Sequence, residues 1–181
     1  MRLVLASCEV RSWSTTDVAS ISEYANNRKI WMNLRDRFPH PYTRRDARAF
    51  ITAIRGRDPE TAFAIAVDGR AVGGIGFVLH EDVERLSAEI GYWLGEPFWG
   101  RGIVTDALKA TTTYAIEKFG LTRLYAVPFA WNGASARVLE KAGYALEGRL
   151  RRSAIKDGVI IDQLQYAFIA PVDRPLTENQ G

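Results

Sequence analysis

Apolar and polar residues alternate along positions 2–10, the period of a half-buried strand. A helical rhythm then takes over at Val18, Ile21, Tyr24 and Ala25, with Thr15 or Thr16 placed to cap it. The run Phe38-Pro39-His40-Pro41-Tyr42 ends that rhythm, because each proline lacks an amide donor and biases its predecessor toward extended backbone. Thr43 opens a further helix through Asp46, Ala47, Phe50, Ile51 and Ile54. Strand patterns follow at 62–67 and 71–79, and Asp68-Gly69 between them is a two-residue hairpin signal. A charged turn at 80–85 leads to a third strand over 86–94.

Beyond residue 102 the spacing of Ile103, Ala107, Ala110 and Tyr114 predicts a helix, with Phe119-Gly120 as its stop. A strand over 124–129, a short helix over 132–142 ended by Gly143, and strands over 144–152 and 159–169 complete the chain. The last two flank Lys156-Asp157-Gly158. An antiparallel meander joined to a β-α-β-α-β-β half is a mixed α/β domain, not a doubly wound parallel one. One domain over 1–170 and a polar tail over 171–181 with two prolines are expected.

Composition removes several classes of function. With 181 residues the chain is long enough for one buried core. The net charge of +3 is mild and acids are interspersed among the bases, so no nucleic-acid surface is indicated. No apolar run approaches the roughly 18 residues that span a bilayer, and residues 1–8 are too poor in apolar length for a secretory leader. Cys8 is the single cysteine, and His40 and His80 lie far apart, so neither an internal disulfide nor a zinc-type cluster is expected. These features lead us to expect a cytoplasmic protein without metal or membrane attachment.

The chemistry concentrates after the third strand of the meander. Gly95-Glu96-Pro97-Phe98-Trp99-Gly100-Arg101-Gly102 joins that strand to a helix. Strand, glycine loop and helix N-terminus together bind a pyrophosphate, because free amides and the helix dipole meet the anion where side chains are missing. The spacing fits neither a Walker loop nor a dinucleotide fingerprint. On the glycines alone, a turn and an anion site stand equally open.

A second segment separates the two. The order Asn132, Ser135, Glu140, Lys141, Gly143, Tyr144, Glu147 and Gly148 resembles the second cofactor motif of the GNAT acetyltransferases. It is most similar to the Rim-type branch, which modifies ribosomal-protein N-termini. Glu-Ile-Gly-Tyr-Trp-Leu at 89–94 and Trp-Gly-Arg-Gly-Ile-Val-Thr-Asp-Ala-Leu at 99–108 resemble the same branch, in ordered register over roughly 60–170. The first sixty residues match through Phe38 to Thr43. Trp99 and Val104 depart from the general superfamily loop, which opens on Gln or Arg and closes on Gly or Ala.

The resemblance implies a central, mostly antiparallel mixed sheet of about seven strands flanked by helices, with the fourth and fifth strands splayed. It implies acetyl-CoA as co-substrate, no metal, and an amine acceptor. The backbone of Tyr92, Trp93 and Leu94 would pair with pantetheine and polarise the thioester carbonyl. Trp99, Gly100, Arg101, Gly102, Ile103, Val104 and Thr105 would hold the pyrophosphate, with Asn132 and Lys141 as further cofactor contacts. Glu89 would be the base and Ser135 would hydrogen-bond the departing sulfur.

Each assignment has a plainer alternative. Asn132 with Ser135 is also what a helix start carries for capping alone. A charged strand residue such as Glu89 commonly faces solvent. Arg149, Arg151, Arg152 and Lys156 suit a basic patch or an ordinary exposed hairpin, and Trp31, Met32 and Phe38 suit a substrate slot or, more plainly, the core. The leading function is acetyl transfer to a protein or peptide N-terminal α-amino group, a ribosomal protein being one acceptor the branch suggests. The alternatives are a small-molecule amine acetyltransferase acting on a polyamine, amino acid or antibiotic, or a non-catalytic acyl-CoA sensor. An RNA-associated role ranks last, since aromatic and basic residues are not interleaved. A homodimer is compatible with the sequence but not specified by it. In the resembled family the acceptor site is built from the early helices and last hairpin, here roughly 26–45 and 150–160.

Overall fold

Residues 1–171 are described by a computed structural model; the expected tail at 171–181 lies, apart from its first residue, outside the described residues. The alternation at 2–10 resolves into two strands rather than one, β1 (Arg2–Val4) and β2 (Glu9–Arg11). The chain folds back where the Leu5 amide donates to the Cys8 carbonyl at 2.9 Å, pairing Leu3 with Val10. An apolar alternation reads the same in one strand or in a hairpin, because both put those residues on one face.

Ser14, one residue before the expected threonine, caps a 3-10 turn at Thr15–Asp17 in a reciprocal box with Asp17. The turn runs into α1 (Val18–Ala25), followed by the short α2 (Arg28–Trp31). Thr43 and Asp46 form a second capping box at the head of α3 (Arg44–Ile54), where Thr43 was expected to start a helix. The meander is β3 (Ala62–Val67), β4 (Arg70–Leu79) and β5 (Ser87–Leu94). Asp68 and Gly69 between β3 and β4 have φ of 49° and 77°, the left-handed pair that a type I′ hairpin turn requires. Helix α4 (Ile103–Phe119) then crosses to β6 (Arg123–Ala126), and α5 (Gly133–Lys141) to β7 (Ala145–Lys156) and β8 (Val159–Ile169). β6 is shorter than expected, and beyond it Phe129 keeps only an isolated bridge to Gln163.

The eight strands form one sheet in the order β1-β2-β3-β4-β5-β6-β8-β7. All neighbours are antiparallel except β5 and β6. Under α4 and α5 one face of the sheet buries Val10, Phe63, Ile65, Ile90, Leu108, Leu124 and Leu139. Under α1 and α3 the other face buries Trp13, Ile21, Ala47 and Ile51. Each such large apolar side chain contributes roughly 1.5–3 kcal/mol of transfer free energy.

One irregularity of the sheet matters for function. The parallel ladder joins Ser87 to Arg123, Ala88 to Leu124 and Glu89 to Tyr125, and there it stops. β5 continues to Leu94 while β6 ends at Ala126, so the two strands part beyond Glu89. The β6-facing edge of β5 from 90 to 94 is left without a strand partner, and the fork it opens reaches both faces of the sheet. Among the described residues no helix is long and apolar enough to cross a membrane, and no three His, Cys, Asp or Glu side chains cluster as metal ligands.

Candidate functional site

A cavity of about 600 Å³ fills the fork, within the range of small-molecule sites. Its walls bring together all the catalytic and cofactor-binding candidates of the sequence: Glu89, Tyr92, Trp93 and Leu94, the run Trp99 to Thr105, and Asn132, Ser135 and Lys141. They come from β5, the start of α4, and α5.

One end of the cavity has the backbone geometry that an anion site requires. Gly100 and Gly102 have φ of 75° and 79°, and a Cβ on either would meet nothing within 4 Å, so backbone conformation rather than crowding calls for glycine. Gly102 caps α4 without any side-chain hydrogen bond, so the first-turn amides of Ile103, Val104 and Thr105 keep their donors for an outside acceptor. At this end the helix also carries roughly half a positive charge. Val104 packs against the core below, which accommodates its branched side chain. The Trp99 indole N–H donates to the Leu94 carbonyl at 2.7 Å and ties the loop to the end of β5. Lys29, Arg35, Arg101, Arg137 and Lys141 line the cavity against a single carboxylate, Glu89, a balance that suits a polyanionic ligand.

Further along, Tyr92 and Ser135 meet. The Tyr92 Oη lies 2.8 Å from Ser135 Oγ, and the same hydroxyl donates to the Ser135 carbonyl at 3.3 Å. Burial pushes the Tyr92 hydroxyl well above the ordinary tyrosine pKa, against the opposing pull of its Ser135 hydrogen bond, so it stays protonated. Asn132 Oδ1 accepts from the Ser135 amide at 3.1 Å, a helix-capping bond. Capping fixes the helix start, and with it the direction of Ser135.

Glu89 faces the opposite way. Ala88, Ile90 and Leu94 enter the core under α4, whereas the Trp93 indole packs near Phe38, 5.8 Å between ring centres, on the α3 side. By strand alternation Glu89 shares the face of Trp93, and Tyr92 the face of Ile90. The two catalytic candidates are therefore on opposite sides of β5 and communicate only through the fork. The Glu89 carboxylate is paired with the Arg35 guanidinium, which comes from the segment after α2.

Three features were not readable from the sequence. Arg35 lies 54 positions from its partner, and no local pattern marks it. The resemblance uses Tyr92 through its backbone alone, yet its hydroxyl is the group that meets Ser135. The Trp131 indole N–H donates to Asn33 Oδ1 at 3.1 Å, bridging the loop before α5 to the segment after α2. The β7–β8 hairpin that was expected to lie near residues 26–45 does so through Lys156, whose Nζ stands 3.8 Å from the Trp31 ring centre and donates to Asp36 at 2.8 Å.

Comparison with known proteins agrees with this geometry. Residues 8–145 match the family described as an acetyltransferase (GNAT) domain. The probable N-acetyltransferase YjcK of Bacillus subtilis (strain 168) is 34% identical over 137 residues, 73% of this chain and 76% of its own length. The ribosomal-protein-serine acetyltransferase of Escherichia coli (strain K12) is 32% identical over 107 residues, 59% of each chain. The chain spans 55%, 76% and 56% of the lengths of three Bacillus relatives it matches. Among solved structures, RimJ of Mycobacterium smegmatis in complex with CoA-disulfide superposes with a TM-score of 0.79 at 26% identity, covering 93% of this chain and 85% of that one.

Proposed function

The chain belongs to the GNAT acetyltransferase family, and on that premise we propose that it transfers an acetyl group from acetyl-CoA to a primary amine, by direct attack of the amine on the thioester. The acceptor we favour is a protein or peptide N-terminal α-amino group. The carrying observation is the open β5 edge from 90 to 94, which runs from the anion site at α4 to the Tyr92–Ser135 pair.

The residues present fit the co-substrate. Uncapped amides at Ile103 to Thr105 and the left-handed glycines before them suit a pyrophosphate, with Arg101, Arg137 and Lys141 near for further phosphate charge. Unpaired backbone groups of β5 suit the amides of a pantetheine arm, and one of their N–H groups suits the thioester oxygen. As the amine nitrogen bonds to the carbonyl carbon, the C–S bond breaks and the sulfur needs a proton. The Ser135 hydroxyl, oriented by Asn132 and linked to Tyr92, donates a hydrogen bond to the departing sulfur, which takes its proton from water. The proton shed by the amine goes to Glu89, directly or through water, from the other face of the strand.

An α-amino group is favoured on energetic grounds. Its ordinary pKa of about 7.7–8.0 leaves far more neutral amine at pH 7 than a lysine at about 10.4, so one carboxylate suffices as base. The E. coli relative's name, a ribosomal-protein-serine acetyltransferase, supports the same class of acceptor. The buried, free Cys8 fits a cytoplasmic setting.

A thermal shift with acetyl-CoA, followed by thiol release across an amine panel that includes peptides beginning with Ala, Ser and Thr, tests the reading. Stabilisation together with turnover on those peptides is expected. Stabilisation without turnover on any amine would overturn it in favour of an acyl-CoA sensor, and turnover confined to polyamines would move the acceptor class.

A further inference from the structure

Arg35 and Asp36 are adjacent in the chain and reach in opposite directions. Arg35 pairs with Glu89 on β5, while Asp36 accepts from Lys156 Nζ at 2.8 Å near the tip of the β7–β8 hairpin. The Lys156 side chain is only 1% exposed and its ammonium is held over the Trp31 ring, so the lysine end of this clasp is buried while Asp36 stays 73% exposed. Arg28 adds an exposed pair with Asp157 at 2.5 Å. The segment presenting Arg35 is therefore fixed between β5 and the hairpin, and the guanidinium is held over the Glu89 carboxylate rather than arriving there by chance. The Arg35 side chain is nonetheless 57% exposed, and both it and Glu89 line the cavity. Two positions along the same face of β5, Gly91 leaves open space where a side chain would stand.

We propose that Arg35 is a specificity-determining residue: it takes a carboxylate that the acceptor carries within a residue or two of its amine, and in doing so releases Glu89 to receive the amine's proton. The inference rests on the acetyl-transfer reading above and on Glu89 as its base. While Arg35 is paired with Glu89, its N–H donors occupy oxygen lone pairs that an incoming ammonium needs. A guanidinium binds one carboxylate in a fork, so an acidic group on the acceptor can replace Glu89 with little change in the energy of the pair. The exchange leaves one carboxylate on Arg35 and Glu89 facing the amine, and the proton passes from nitrogen to Glu89 with no other reactant. A polycationic acceptor offers nothing to Arg35 and is repelled by its guanidinium. The class selected is thus an acidic peptide N-terminus.

Steady-state acetylation of three peptides that differ only at position two (Ser-Asp, Ser-Asn and Ser-Lys) tests this. The wild-type kcat/KM is expected to be about tenfold higher for Ser-Asp than for Ser-Asn, equivalent to about 1.4 kcal/mol, with Ser-Lys lowest. Arg35→Ala should collapse the Asp-to-Asn ratio toward one, and Arg35→Glu should invert the Asp-to-Lys order. Lys156→Met, which frees the segment without touching the acceptor, should reduce the ratio in part. A wild-type protein indifferent to charge overturns the proposal, as does a preference that survives Arg35→Ala or an equal loss on all three peptides. Binding of acetyl-CoA with no turnover on any amine instead removes the acetyl-transfer reading, and this inference with it.

Discussion

The Tyr92 hydroxyl stands 2.8 Å from the Ser135 hydroxyl, joining β5 to α5 across the cavity on the face of the strand opposite Glu89. Because burial raises the Tyr92 pKa, the pair keeps its protons where an ordinary tyrosine would begin to lose one. Ser135→Ala and Tyr92→Phe should each lower kcat, by roughly 10²-fold if the pair serves as a positioned hydrogen-bond donor. The Kd for acetyl-CoA should change little. Loss of binding with normal kcat would reduce Ser135 to a helix-cap or binding residue. The raised pKa also fixes a pH limit: the folded protein binds this proton more tightly than the unfolded chain. The associated stability is therefore complete below about pH 10 and is lost as pH rises further. No falling limb of the rate profile below that pH should trace to Tyr92.

Glu89→Gln removes the proposed proton acceptor while keeping the shape of the side chain. Its effect should be largest at low pH, where most of the amine is protonated, and should shrink as pH approaches the amine's own pKa of about 8. Rate profiles of wild type and variant that run parallel from pH 6 to 9 would take Glu89 out of the base role.

Gly102 begins α4 in a left-handed conformation with φ of 79° and no steric neighbour for a Cβ. Gly102→Ala should therefore cost about 1–2 kcal/mol through backbone strain alone. It should also weaken acetyl-CoA binding as the first-turn amides tilt away from the phosphates. Thermal denaturation and a direct binding titration check the two effects separately; a variant normal in both would show that the loop does not depend on this geometry.

Much of the scaffold was legible because it is written locally. Asp68-Gly69 fixes its own turn, Thr43 with Asp46 fixes its own helix start, and Gly100 and Gly102 announce a loop before a helix by spacing alone. The resemblance to a family then gathered Glu89, Tyr92 and Ser135 into one site, which periodicity could not have done. What stayed hidden depends on tertiary placement. Residues 2–10 look alike as one strand or two. Arg35 and Glu89 meet only after α2 folds back over the meander. Lys156, which reads as one more charge on an exposed hairpin, is buried against Trp31. A side chain's partner across dozens of residues leaves no periodic trace in the sequence.

The Lys156–Asp36 pair is asymmetric, with the lysine 1% and the aspartate 73% exposed. Removing Asp36 strands a buried ammonium, whereas removing the ammonium leaves a carboxylate already in water. Asp36→Ala should thus destabilise the fold by about 1–3 kcal/mol, and Lys156→Met by less, since the methionine can keep the contact with Trp31. Urea denaturation of both variants gives the order, and a larger loss for Lys156→Met would mean that packing on Trp31 outweighs the charge pair.

Arg123 on β6 and Glu147 on β7 bridge over β8, with two parallel hydrogen bonds at 2.6 and 2.5 Å and support from Gln165 at 3.1 Å. The Arg123 guanidinium, with Gln165 adding to its effect, holds the Glu147 carboxyl down at about 2. A carboxylate with a lowered folded pKa stabilises the protein above its ordinary value and ceases to do so as pH falls through the folded one. Here that window runs downward from about 4.5 to about 2. The pair is partly exposed and open to salt screening, so its whole contribution should stay below about 1 kcal/mol. Glu147→Gln should accordingly lower Tm slightly at neutral pH in low salt, and the gap to wild type should close as pH drops below 4.5. A gap that persists unchanged at the lowest pH where both proteins remain folded would assign Glu147 a packing role at this arm of the fork instead of an electrostatic one.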